Sequence, residues 1–171
     1  MKVAIIGIGL IGGSIALALK EKNIAGTIIG VDANEAHQQK ALELGLVNKI
    51  TDLDTAIEEA DFIILAVPVD TASGLLPHIL SKVKKQVVMD VGSTKNSVCE
   101  AAGKSINYKR FVATHPMWGT EFSGPAAAVS GAFADKAVVI CNKENNDADA
   151  LEMVENLYKN MGMHIIYMDA A

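Results

Sequence analysis

The stretch Gly7-Ile8-Gly9-Leu10-Ile11-Gly12, placed directly after the apolar run Val3-Ala4-Ile5-Ile6, constrains this chain more than any other feature. The apolar run is short, rich in β-branched residues and stopped by glycine, the pattern of a buried parallel strand. Residues 10 to 21 then read as a helix ending at Lys20-Glu21-Lys22, where cations suit the negative end of the helix dipole. A G-x-G-x-x-G turn in that position has a physical reading. Gly7 permits the tight turn, Gly9 lets a pyrophosphate approach the backbone, and Gly12 lets the helix close onto the sheet. Free N–H groups and the positive end of the helix would hold the phosphate charge. Gly7, Ile8, Gly9, Leu10, Ile11 and Gly12 are therefore expected to bind a dinucleotide.

Asp32 follows Gly12 by about twenty residues, at the end of the second apolar run Thr27–Val31, which completes the fingerprint. Its carboxylate can accept hydrogen bonds from both ribose hydroxyls of NAD. A 2′-phosphate would face that negative charge, and Ala33-Asn34-Glu35 offers no arginine to offset it. NAD is thus expected over NADP. The competing reading of Asp32 is a cap for the helix predicted over residues 34 to 44.

The alternation continues along the chain. Strands are predicted at residues 47–50, 62–67, 86–91, 111–114, 137–141 and 163–168. Helices are predicted at 53–59, 71–81, just after 92–94, and at 148–161. Residues 115 to 134 form a long connection without a clear period. Nearly all-apolar strands alternating with helices indicate an α/β fold with a doubly wound, mostly parallel sheet, the Rossmann dinucleotide-binding fold. One domain over residues 1–171 accommodates all of it.

Composition narrows the partners. Half the residues are hydrophobic, 20% are charged, and the formal net charge is -5. There is no basic run, so nucleic acid is excluded as a partner. Glycines 7 and 9 interrupt the first apolar run too early for a signal peptide, and no stretch approaches the roughly 18 to 20 apolar residues of a membrane span. A cytoplasmic protein is the expectation. Cys99 and Cys141 sit in apolar stretches and read as buried thiols of a reducing compartment, with no metal site and no redox pair in their spacing.

Dinucleotides cross such a sheet at the switch point between the first and fourth strands, outside their carboxyl ends. Val67 and Pro68, ending the fourth strand, are expected beside the nicotinamide half. Asp90-Val91-Gly92-Ser93-Thr94-Lys95 ends the fifth strand at the same edge. There Ser93 or Thr94 either caps the following helix or offers a hydroxyl to a substrate. His115-Pro116 lies directly after the sixth strand, at the same edge. His37 and His78 read as helix-surface residues, and His164 as the start of the last strand on the opposite edge, so His115 alone is placed beside a cofactor. A neutral imidazole, ordinarily titrating near about 6.5, can take a proton from a hydroxyl as hydride leaves the same carbon.

Asp90–Lys95 together with His115-Pro116-Met117-Trp118-Gly119-Thr120-Glu121-Phe122-Ser123-Gly124 resembles the prephenate and arogenate dehydrogenases of tyrosine biosynthesis, over essentially the whole chain. The resemblance implies NAD-linked oxidative decarboxylation of prephenate to 4-hydroxyphenylpyruvate, with His115 as catalytic base, Ser93 orienting the substrate hydroxyl, and no metal. Trp118 and Phe122 are bulkier than expected between the motif residues; they pack over the nicotinamide or against a partner surface. It also implies a further, mainly helical C-terminal domain that makes a homodimer and supplies substrate-binding groups, including an arginine. The one arginine here, Arg110, falls at the start of the sixth strand on the wrong edge, and Lys95 is the one cation expected near the site. Arogenate as substrate, another hydroxy-acid dehydrogenase, and a non-catalytic NAD-binding module are the alternatives.

Overall fold

A computed structural model describes all residues, Met1 to Ala171. The strands are β1 (Lys2–Ile6), β2 (Thr27–Val31), β3 (Lys49–Ile50), β4 (Phe62–Leu65), β5 (Val87–Asp90), β6 (Phe111–Pro116), β7 (Ala137–Cys141) and β8 (His164–Met168). The helices are α1 (Leu10–Glu21), α2 (Glu35–Glu43), α3 (Leu53–Glu59), α4 (Val69–Lys82), α5 (Asn96–Gly103) and α6 (Ala148–Asn160). They build one sheet of order β3-β2-β1-β4-β5-β6-β7-β8.

Alternate strand residues feed two apolar layers, as a parallel strand buried on both faces requires. Val3 and Ile5 pack with α1, α2 and α6 on one face, while Ala4 and Ile6 pack with α3, α4 and α5 on the other. The first six strands are mutually parallel, and the chain reverses its winding between β1 and β4. Val31, Ile6, Leu65, Asp90 and Ala113 lie in register across the sheet and mark its carboxyl edge. The residues that follow them open the candidate site. No helix is long and apolar enough to cross a membrane.

The last two strands depart from the parallel run. β7 is antiparallel to β6, with Pro116 opposite Val138, and β8 is parallel to β7. The segment between β6 and β7 contains no crossover helix, so the chain turns back at the edge where it emerged. Two consequences correct the sequence reading. His115 lies within β6, paired with Val139, because β7 extends the ladder to Pro116. His164, opposite Ala137, starts β8 on the carboxyl edge, not the opposite one, and is exposed.

Candidate functional site

The glycine turn is built as its sequence requires. Gly7 sits at φ +94, and a Cβ there would lie 2.6 Å from the Ala66 carbonyl oxygen. At Gly12 a Cβ would meet the Gly7 carbonyl oxygen at 2.1 Å, so glycine is what brings α1 against the turn. Around Gly9 there is nothing within 4 Å, and the open space faces a cleft of about 890 Å³. The first intrahelical bond runs from Gly13 N to Gly9 O at 2.9 Å, so the amides of Leu10, Ile11 and Gly12 are the free donors of the helix start. Ile8 behaves differently. Its side chain is fully buried, and its amide donates to Asp32 Oδ2 at 2.8 Å. Ile8 thus ties the turn to β2.

Asp32 is not the cap of α2. Asn34 is, accepting from the amides of Ala36 and His37, while Asp32 Oδ1 accepts from Asn34 N at 2.9 Å. The Asp32 carboxylate faces the cleft, with His37 Nδ1 3.5 Å from its Oδ2. His37 therefore belongs to the cleft lining, a role its helix-surface pattern did not show. Val67 and Pro68 line this same cleft with Thr71 and Leu75. Pro68 is the residue before α4, so the end of β4 passes directly into that helix at the cleft wall. The glycine turn, its free amides and the Asp32 carboxylate fit a dinucleotide.

The second cluster lies farther along the same edge, beyond β5 and β6. Ser93 is exposed and Thr94 likewise; α5 begins only at Asn96, and no side chain caps it. The capping alternative for Ser93 and Thr94 therefore lapses. Lys95 is buried. Its Nζ pairs with Asp90 Oδ2 and donates to the Thr114 carbonyl at 2.7 Å, so it is not a free cation for a substrate. Asp90 also accepts from the amides of Gly92 and Thr114, and Thr114 Oγ1 shares a 2.6 Å hydrogen bond with the buried Tyr158 hydroxyl of α6. Next to Thr114, half-buried His115 has its pKa held below the ordinary histidine value, by burial first and the Lys95 charge second, against a smaller opposing pull from Asp90.

The segment after β6 is docked, not loose. Trp118 packs edge-on against Phe133 at 5.4 Å between ring centroids and lies partly buried against the core. Phe122 remains 66% exposed. Val129 N donates to Ser14 Oγ of α1 at 2.9 Å, and the turn at Pro125–Ala127 lies beside Gly13, where a Cβ would meet Ala128 Cβ at 3.0 Å. Thr120, Glu121 and Ser123 are exposed. Arg110 is committed at the far edge, bonded to Asp149 at 2.7 Å and to the Lys85 carbonyl. Cys99 and Cys141 are free thiols lining one small cavity, and burial pushes Cys99 up to about 11, so both are protonated at neutral pH.

The sequence profile described as "Prephenate dehydrogenase, nucleotide-binding domain" matches residues 15–167. A prephenate dehydrogenase of Bacillus subtilis (strain 168) is 34% identical over 170 residues, covering 97% of this chain and 46% of the relative. A cyclohexadienyl dehydrogenase of Zymomonas mobilis is 32% identical, covering 98% of this chain and 58% of the relative. The crystal structure of prephenate dehydrogenase from A. aeolicus, in complex with hydroxyphenyl propionate and NAD+, superposes with a TM-score of 0.91 at 30% identity, over 99% of this chain and 60% of that one. The chain spans about half the length of these relatives. It belongs to the family of prephenate dehydrogenase nucleotide-binding domains.

Proposed function

We propose that this chain is the NAD-binding part of a prephenate dehydrogenase and carries the base of the reaction. Asp32 would hold the adenosine ribose, and the amides of Leu10, Ile11 and Gly12 the pyrophosphate. Bound NAD supplies the hydride acceptor. Ser93 would orient the hydroxyl of the substrate ring, and His115 would take the hydroxyl proton as the ring loses hydride and carbon dioxide and becomes aromatic. The observation that carries this reading is His115 itself: it stands at the carboxyl edge that bears the glycine turn, and its surroundings favour the uncharged imidazole a base must have. Prephenate is preferred to arogenate because the B. subtilis and A. aeolicus relatives bear that name. A second, helical domain would provide the arginine for the substrate carboxylates and the surface for a homodimer.

The test is NADH formation from prephenate by the protein that joins this chain to such a domain, with His115→Asn alongside. Turnover should fall by roughly 10² to 10⁴, the worth of a general base, while NAD affinity stays near the parent value. A variant that keeps more than about a tenth of the rate removes His115 from that role.

A further inference from the structure

The edge that bears Ser93 and His115 rests on a buried ion pair outside the lining of the nucleotide cleft. Asp90 is 1% exposed and Lys95 7%. Asp90 ends β5, opposite Leu65 on β4 and Ala113 on β6, so its carboxylate lies between two central strands. One oxygen takes Lys95 and the Gly92 amide, the residue before Ser93; the other takes the Thr114 amide, the residue before His115. Lys95 closes the ring by donating to the Thr114 carbonyl. Gly92 is part of the fit: a Cβ there would lie 2.8 Å from Val69 Cγ2 and 3.3 Å from Asp90 Oδ2. A buried pair is weak support for stability by itself, since desolvation offsets most of the attraction. Here every bond from the pair goes to a backbone group adjoining a candidate site residue.

We propose that the Asp90–Lys95 pair is the positioning device of this edge, fixing Ser93 and His115 relative to each other through Gly92 and Thr114 and setting the charge that His115 experiences. The inference rests on the functional reading only for the meaning of the edge, not for the pair's effect on the imidazole. The charged groups that bear on His115 are Lys95 and Asp90. Its β7 neighbour is the apolar Val139, and Tyr158 of α6 is engaged with Thr114. Lys95 acts more strongly than Asp90, so the pair leans positive toward the ring despite being neutral as a whole.

The experiment is an NMR titration of the His115 ring in this chain and in Lys95→Met, Asp90→Asn and the double variant. The titration midpoint should rise in the order Asp90→Asn, parent, double variant, Lys95→Met. The extremes should differ by about 0.5 pH unit or more, since a nearby charge of either sign displaces a titration by that much. Circular dichroism reports folding. Should Lys95→Met not fold, with Asp90 left unpaired, the double variant leaves no buried ion and must still titrate above the parent. Coincident midpoints among the folded proteins, or a Lys95→Met midpoint below the parent, would overturn the proposal. The readout needs no turnover, so inactivity toward prephenate would bear on the functional reading alone.

Discussion

The Asp32 carboxylate faces two ways, toward the cleft where the ribose is proposed to lie and back to the Ile8 amide of the glycine turn. Asp32→Ala should therefore act twice, removing the ribose acceptor and freeing the turn from β2. A hydrogen bond to a charged group contributes about 1.5 to 3 kcal/mol, so NAD affinity measured by calorimetry should drop at least about tenfold. The preference for NAD over NADP should narrow as well, because the charge opposing a 2′-phosphate is gone; equal NAD and NADP affinity in the parent would refute the role. His115 sets a second expectation. Its pKa lies below the ordinary value, and the base must be uncharged, so kcat/KM on prephenate should be flat near neutrality. Activity should fall only as pH drops through a midpoint under about 6.5. An acid limb centred above that value would mean that another group titrates. The place of Asp32 at the cleft was legible because its spacing from the glycine turn is fixed by one strand–helix–strand unit. Asn34, His37 and Tyr158 were not: each sits in an ordinary helical pattern, and only tertiary packing brings it to a site.

Among the elements, the first turn of α1 separates two glycines with opposite duties. Gly12 is closed in by backbone, so Gly12→Ala must push α1 off the sheet and should cost about 3 kcal/mol or more of stability, visible as a lowered Tm. Gly9 adopts φ -96, outside the left-handed region that favours glycine, and has free space around it. Gly9→Ala should leave Tm nearly unchanged, within about 0.5 kcal/mol, yet weaken NAD binding because the methyl occupies the phosphate path. Stability and binding measured on both variants would expose an error if Gly9→Ala unfolds the chain or Gly12→Ala does not. The first six strands were readable because each parallel crossover needs a helix, and the helices announce themselves by period and terminal residues. The direction of β7 and β8 was not readable from their own residues, since Val, Ile and Ala bury equally well in either orientation. The informative signal was the missing helical period between residues 117 and 136, which marks a return rather than a crossover. Missing it placed His164 at the wrong edge.

For the molecule as a whole, the nucleotide cleft is walled by this chain, while the edge proposed for the substrate is open. The cleft has its glycine turn, its carboxylate and its apolar wall, all from this chain. The edge beyond β5 has Ser93 and His115, but the cations that the proposed dianionic substrate would need are engaged elsewhere. Lys95 is paired with Asp90 and the Thr114 carbonyl, and Arg110 is held at the far edge by Asp147, Asp149 and two backbone carbonyls. The docked segment after β6 lies against α1 and Phe133, leaving Phe122 and Glu121 exposed rather than roofing the edge. Hydride transfer needs the reacting carbons held at about 3 to 3.5 Å with water excluded, and a bare edge provides neither. This 171-residue chain should therefore bind NAD yet form no NADH from prephenate when assayed by itself. Joining it to the remainder of a relative such as the B. subtilis enzyme should restore turnover that depends on His115. Saturable, His115-dependent turnover by the isolated chain would mean that exposed groups on this edge, such as Lys136 and His164, supply the carboxylate contacts assigned here to a second domain.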